Sequence, residues 1–163
     1  GPKYHVYMIA ASSVKGTSNF YVSRENCGDN RLMGKTQSEE VSSWDSITVP
    51  CERVDELLQR DKLPLPDVIK IDVQGFESEV IKGFDSLFAQ KAHLSMMIEF
   101  WPEGLKSAGS DPLEFLLGLK KHGFHIQYID LEGNLTDLGD GNQMNQMIST
   151  YSGKAFTNLF CTR

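Results

Sequence analysis

Two hydrophobic rhythms alternate along this chain. Val68, Ile69, Ile71 and Val73 form a nearly continuous β-branched run, the pattern of a strand buried on both faces of a parallel sheet. After Gly75 the apolar positions move to Val80, Ile81, Phe84, Leu87 and Phe88, which share one helical stripe. Glu77 and Glu79 fall in the first turn of that helix, where the dipole favours anions, and read as solvated helix-face charges, with the alternative for Glu77 that it helps order the preceding turn. Upstream, strands are predicted over residues 4–10, 19–22 and 47–50, with a short helix marked by Val54, Leu57 and Leu58. Residues 23–46 are polar and carry turn chemistry at Asn26, Gly28, Asp29, Asn30 and Gly34, so a mobile connection is expected there. Downstream, residues 94–100 read as a buried strand. Asp111-Pro112-Leu113-Glu114 combines an N-cap acid, a proline at the first helical position and a capping-box glutamate. The helix it opens closes at Gly123, a strand follows over 124–131, a polar loop over 132–154 and a last strand over 155–161. Alternating strands and helices of this kind predict an α/β fold.

Size and charge narrow the possibilities. With 163 residues, 40% of them hydrophobic, the chain can bury a sizeable core, and residues 1–163 are read as a single domain. A net charge of −6 excludes a surface that binds nucleic acid by neutralising phosphates. Cys27, Cys51 and Cys161 are odd in number and widely spaced, which predicts reduced thiols in a cytoplasmic protein, with Cys161 packed in the core. No apolar run is long enough for a membrane span, so none is expected.

The candidate chemistry lies where strands end. Asp72 follows the buried run directly, and Glu99 ends the next strand, at the edge where parallel α/β sheets bind ligands. Either could take a proton from a hydroxyl, and the sequence does not choose between them. Trp101, just beyond, is a candidate wall of a substrate pocket. Lys70 within the apolar run requires a carboxylate or a path to water, and Asp72 is its nearest same-face neighbour. His122 and His125 lack a second ligand pair and are not read as a metal site.

The segment Lys70-Ile71-Asp72-Val73-Gln74-Gly75-Phe76-Glu77 resembles the KIDVEG-x-E signature of the FkbM-type methyltransferases. The resemblance continues in Val6-Tyr7-Met8-Ile9-Ala10-Ala11-Ser12, in Val54-Asp55-Glu56-Leu57-Leu58, in Ile98-Glu99-Phe100-Trp101-Pro102-Glu103-Gly104-Leu105, and in the closing Thr157-Asn158-Leu159-Phe160-Cys161-Thr162-Arg163. It implies a Rossmann-like class I methyltransferase fold, with a mostly parallel sheet and an antiparallel final strand. It also implies methyl transfer from S-adenosylmethionine to a hydroxyl of a sugar or small metabolite. By the same resemblance Ala10, Ala11 and Ser12 would lie near the adenine edge of the cofactor, Asp72 and Val73 beside its methionine part, and Glu99 with Trp101 towards the acceptor.

Two departures bear on that expectation. Gln74 stands where the family usually has glutamate. The glycine-rich cofactor turn with which family members begin is absent, so the chain reads as the C-terminal two-thirds of such a domain, binding cofactor weakly by itself and prone to self-association through an exposed sheet edge. The rival expectation is a binding or interaction module that keeps the scaffold without catalysis.

Overall fold

The computed structural model describes residues 4–32 and 43–163. Two sheets carry the α/β architecture. In the first, β1 (Ala10–Ala11), β2 (Gly16–Val22), β3 (Arg31–Leu32) and β4 (Asp45–Glu52) lie in the order β1-β4-β2-β3. β2 and β4 run antiparallel from the pair Gly16 and Cys51 to the pair Val22 and Asp45, a ladder longer than either predicted strand. Residues 4–9 join no sheet among the described residues, in place of the strand expected from residue 4. Tyr4, Val6 and Met8 are 83%, 81% and 89% exposed, so the alternation that suggested a strand has neither a neighbour to pair with nor a core to face. Of the expected mobile stretch, residues 33–42 lie outside the described residues. The part before them forms a 3-10 turn at Cys27–Asp29, capped by the Asn26 side chain accepting from Gly28 N, and then β3.

The second sheet has the order β5-β6-β9-β7-β8, from β5 (Val68–Ile71), β6 (Ser95–Phe100), β7 (His125–Ile129), β8 (Leu135–Asp137) and β9 (Thr157–Thr162). β5 and β6 are parallel. β9 enters between β6 and β7 and runs opposite to both, as expected for the last two major strands. That insertion corrects the expected mostly parallel sheet: among the described residues only β1 with β4 and β5 with β6 are parallel neighbours, and the sheets are mixed. β5 is also not buried on both faces. Among the described residues it is an edge strand, with no strand on its other side, in which Val68 is 70% exposed and only Ile71 is buried.

The helices are α1 (Val54–Arg60), α2 (Glu77–Lys82), α3 (Asp85–Gln90), α4 (Pro102–Ser107), α5 (Pro112–Lys121) and α6 (Gly141–Thr150). The stripe after Gly75 is split into α2 and α3 at Gly83 and Phe84. The Ser12 carbonyl passes so close to Gly83 that a side chain there would collide with it. α5 begins as read from sequence, with Asp111 accepting from Glu114 N at 2.9 Å. The polar loop expected over 132–154 instead contains β8 and α6. Asp140 caps α6 through Asn142 N and Gln143 N, and Met144, Met147 and Tyr151 supply a narrow buried stripe to an otherwise polar helix. Met96, Ile98 and Phe100 of β6, Ile126 of β7 and Leu159 and Cys161 of β9 are fully buried with Leu105, Leu116 and Leu119 of the helices, and form the centre of the core. Burial pushes the Cys161 thiol up to about 12, in keeping with a packing role.

Candidate active site

Ile71 of β5 and Ile98 of β6 are paired, so the next residue on each strand, Asp72 and Glu99, emerges at one edge of the sheet. The chain after Asp72 turns sharply, with Gln74 at φ 53° and Gly75 at φ 99°. Gly75 lies against the backbone of α4, where a Cβ would come within 2.5 Å of the Gly104 carbonyl carbon and oxygen. Only glycine satisfies both the positive φ and this approach. Gly104 in turn lies under the Trp101 indole, which leaves no space for a side chain there either. Pro102 at the first position of α4 sets this packing, a helix not foreseen although proline after a strand end was its signal.

The turn is held from inside by Glu77. Its carboxyl is fully buried, and Oε1 accepts from Gly75 N at 3.1 Å and Val73 N at 3.3 Å, while Oε2 has no partner. Burial raises this carboxyl to about 7 against the lowering effect of the backbone N–H groups, with the charge of Glu99 adding to the rise. Glu77 is therefore no solvated helix-face charge. Its side chain folds back under the preceding turn, so the alternative reading, in which it orders that turn, holds over the helix-face one. Glu79 is only partly exposed, accepting from Ser13 Oγ and pairing with Lys82 Nζ at 2.5 Å.

Gln74 joins the two strand-end acids. Its Nε2 donates to Glu99 Oε2 at 2.8 Å and to Asp72 Oδ1 at 3.2 Å. Lys70 reaches Asp72 at 3.4 Å, the partner expected from the sequence, and both side chains are about half exposed. Partial burial, and then the charge of Asp72, raise the Glu99 carboxyl above its ordinary value against the pull of Lys70 and Gln74. Glu99 and Gln74 line a cavity of about 360 Å³ together with Trp101, Arg31, Lys154 and Asn26. Its volume is at the small end of ligand pockets. Trp101 is fixed by Nε1 donating to Gly153 O at 2.7 Å, and the Arg31 guanidinium lies 5.4 Å from its ring centre and 5.1 Å from that of Trp44.

The structure thus brings Asp72, Glu99 and Trp101 together and keeps Ala10, Ala11 and Ser12 apart from this cavity. Those three sit beside β4, Ser12 N donating to Glu52 O at 2.9 Å, and pass over Gly83 between α2 and α3. The Val73 N–H is already taken by Glu77. Arg31, Lys154 and Asn26 were missed because nothing in their polar surroundings links them to residues so distant in sequence. His125 pairs with Asp137 at 3.0 Å and the His122 ring packs on Phe88, both away from the cavity. Among the described residues no group of three or more His, Cys, Asp or Glu side chains could hold a metal ion. No described helix is long and apolar enough to cross a membrane.

Comparison with known proteins places the chain in a family. Residues 3–133 match the family described as the methyltransferase FkbM domain. The chain is 41% identical over 46 residues to the hexuronic acid methyltransferase AglP of Haloferax volcanii. That similarity spans 28% of this chain and 19% of the relative, so the chain matches only about a fifth of that protein's length. No solved structure matches. With residues 3–133, most of its length, matched to that domain, this chain belongs to the FkbM-domain family of methyltransferases.

Proposed function

We propose that residues 1–163 form one Rossmann-like methyltransferase region whose protein moves a methyl group from S-adenosylmethionine to a hydroxyl oxygen of a sugar or small metabolite. The observation that carries this reading is Glu99, half-buried at the end of β6, with a raised carboxyl, lining a cavity walled by an indole. A carboxylate whose proton affinity is raised by burial and by a neighbouring acid is a stronger base, which suits removal of a hydroxyl proton, the one acid–base task that methyl transfer requires. Glu99 fits it better than Asp72, which Lys70 already engages and which does not line the cavity. The similarity to a hexuronic acid methyltransferase supports a sugar acceptor.

The residues present fit part of the cofactor. Asp72 keeps a half-exposed carboxylate at the free edge of β5, a suitable partner for an ammonium group such as that of the methionine moiety. When bound, S-adenosylmethionine supplies an electrophilic methyl on a sulfonium. The chain's own residues then do the remaining work: Gln74 holds Glu99 in place, Trp101 offers an apolar face to a sugar ring, and Glu77 fixes the turn that carries Asp72. The unpaired thiols at Cys27, Cys51 and Cys161 support a cytoplasmic setting.

The test is transfer of labelled methyl from S-adenosylmethionine to a panel of monosaccharides by the wild-type protein and Glu99→Gln. Loss of transfer by 10²-fold or more in the variant is expected from removal of a general base, with the melting temperature unchanged. Transfer at the wild-type rate by Glu99→Gln would reject Glu99 as the base. Sugar binding without any transfer would favour a non-catalytic binding module.

A further inference from the structure

The cavity beside Glu99 holds two cations that its proposed chemistry does not use. Arg31 is at the start of β3, at the outer edge of the first sheet, and Lys154 is in the loop between α6 and β9. Asp29 and Glu99 line the same cavity, yet among the described residues no carboxylate lies within ion-pair distance of either cation. Glu99 is turned to Gln74 instead. The Arg31 side chain is far from loose. Its guanidinium rests against Trp44 and Trp101, and its Nε is sealed from water with no hydrogen-bond partner. A buried donor left open loses its hydration without compensation, which is costly unless a ligand completes it.

Both cations sit on rigid supports. Trp101 is tied by its indole N–H to the carbonyl of Gly153, the residue before Lys154. One tryptophan thereby touches Arg31 and fixes the loop that presents Lys154. A guanidinium held in a fixed plane is suited to a forked pair of hydrogen bonds with an oxyanion, and a neighbouring ammonium adds charge without demanding geometry.

From this arrangement we propose that Arg31 and Lys154 form an oxyanion subsite, and that the acceptor is a sugar-sized molecule carrying an acidic substituent, a carboxylate or a phosphate, together with the hydroxyl presented to Glu99. The assignment rests on the reading of this cavity as the acceptor site. It makes Arg31 and Lys154 specificity-determining residues, and it makes a neutral sugar the poorer ligand.

Calorimetric titration at low salt with glucuronate, glucose 6-phosphate and glucose tests the subsite without any methyl transfer. One of the two acidic sugars is expected to bind at least tenfold more tightly than glucose, and which one identifies the acidic group. Arg31→Gln and Lys154→Gln should each remove most of that preference, and Arg31→Lys should restore only part of it. Lys154 is exposed, so its variant reports on the subsite even if Arg31→Gln disturbs the packing of the two tryptophans. Equal binding of glucose and both acidic sugars, or a preference that survives both charge removals, would overturn the proposal. The two readings fail separately. Arg31-dependent binding of an acidic sugar with no methyl transfer would sink the enzymatic reading and keep the subsite. Glu99-dependent methylation of neutral sugars that is indifferent to Arg31 and Lys154 would do the reverse.

Discussion

The backbone of Gly75 rests on the backbone of Gly104, so closely that a Cβ on the first would stand 2.5 Å from the carbonyl of the second. This contact joins the turn after β5 to α4, and so fixes the separation of the Asp72 and Trp101 sides of the site. Gly75→Ala must carry a side chain at φ 99° and also push α4 away. Backbone strain and overpacking each cost about 1–3 kcal/mol, so a loss of roughly 2–6 kcal/mol is expected. Denaturant unfolding measures it, and an unchanged midpoint would show that the turn relaxes without the contact.

Glu77 makes stability depend on pH in the direction opposite to that of an ordinary surface carboxylate. Its folded value is raised to about 7 from 4.5, so folding favours the protonated form. Its contribution is fully present below about pH 4.5 and is lost as pH rises through 7, by about 3 kcal/mol in all. Glu77→Gln keeps an oxygen for the N–H groups of Val73 and Gly75 and cannot ionise. Melting temperatures between pH 5 and 8 should fall for the wild type and stay nearly level for the variant. Parallel curves would assign the pH dependence elsewhere.

Gln74 donates to both strand-end acids, and Gln74→Glu replaces two donors with a third carboxylate. The Glu99 carboxyl, already raised by burial and by Asp72, should rise further. Because a general base works deprotonated, the acid limb of the pH–rate profile should move to higher pH. A profile that does not move would separate Glu99 from the rate.

Two aspartates should respond in opposite ways to neutralisation. Asp72 is half exposed and its pair with Lys70 is solvated, so Asp72→Asn should cost well under 1 kcal/mol of stability yet sharply reduce methyl transfer. Asp55 is the structural case: its side chain is 4% exposed, it pairs with Arg53 at 2.8 Å and it accepts from Ser86 N at 3.0 Å. Burial by itself would raise its carboxyl, but Arg53 and the Ser86 N–H outweigh burial and hold it below the ordinary range. Asp55→Ala should lose about 1–3 kcal/mol by leaving the Ser86 N–H at the α3 start without its acceptor and Arg53 with only its longer ion pairs to Asp85 and Glu56. Thermal melts and transfer rates on both variants decide the matter, and a stability loss at Asp72 matching that at Asp55 would contradict the assignment.

The antiparallel close of β9 was expected only from the family resemblance, whereas local spacing was enough to find β6, the cap of α5 and the strand that ends at Asp72, because each depends on residues a few positions apart. It was also enough to single out Asp72, Glu99 and Trp101, since an acid or an indole at the end of an apolar run is visible in one dimension. What spacing could not supply was who lies next to whom. β9 entering between β6 and β7 made the sheet mixed, and β5, the edge strand among the described residues, leaves Val68 exposed although its neighbours in sequence are apolar. Glu77 reads as a surface glutamate until the fold places it beneath its own turn, and α6 reads as a polar loop until Met144, Met147 and Tyr151 meet the core. Arg31 and Lys154 acquire meaning only through Trp101, which one touches and whose indole fixes the loop of the other. The sequence determined where chemistry could emerge, because strand ends are local. Tertiary structure decided burial, pairing and the charge lining of the cavity, because these are set by segments that meet only when the chain is folded.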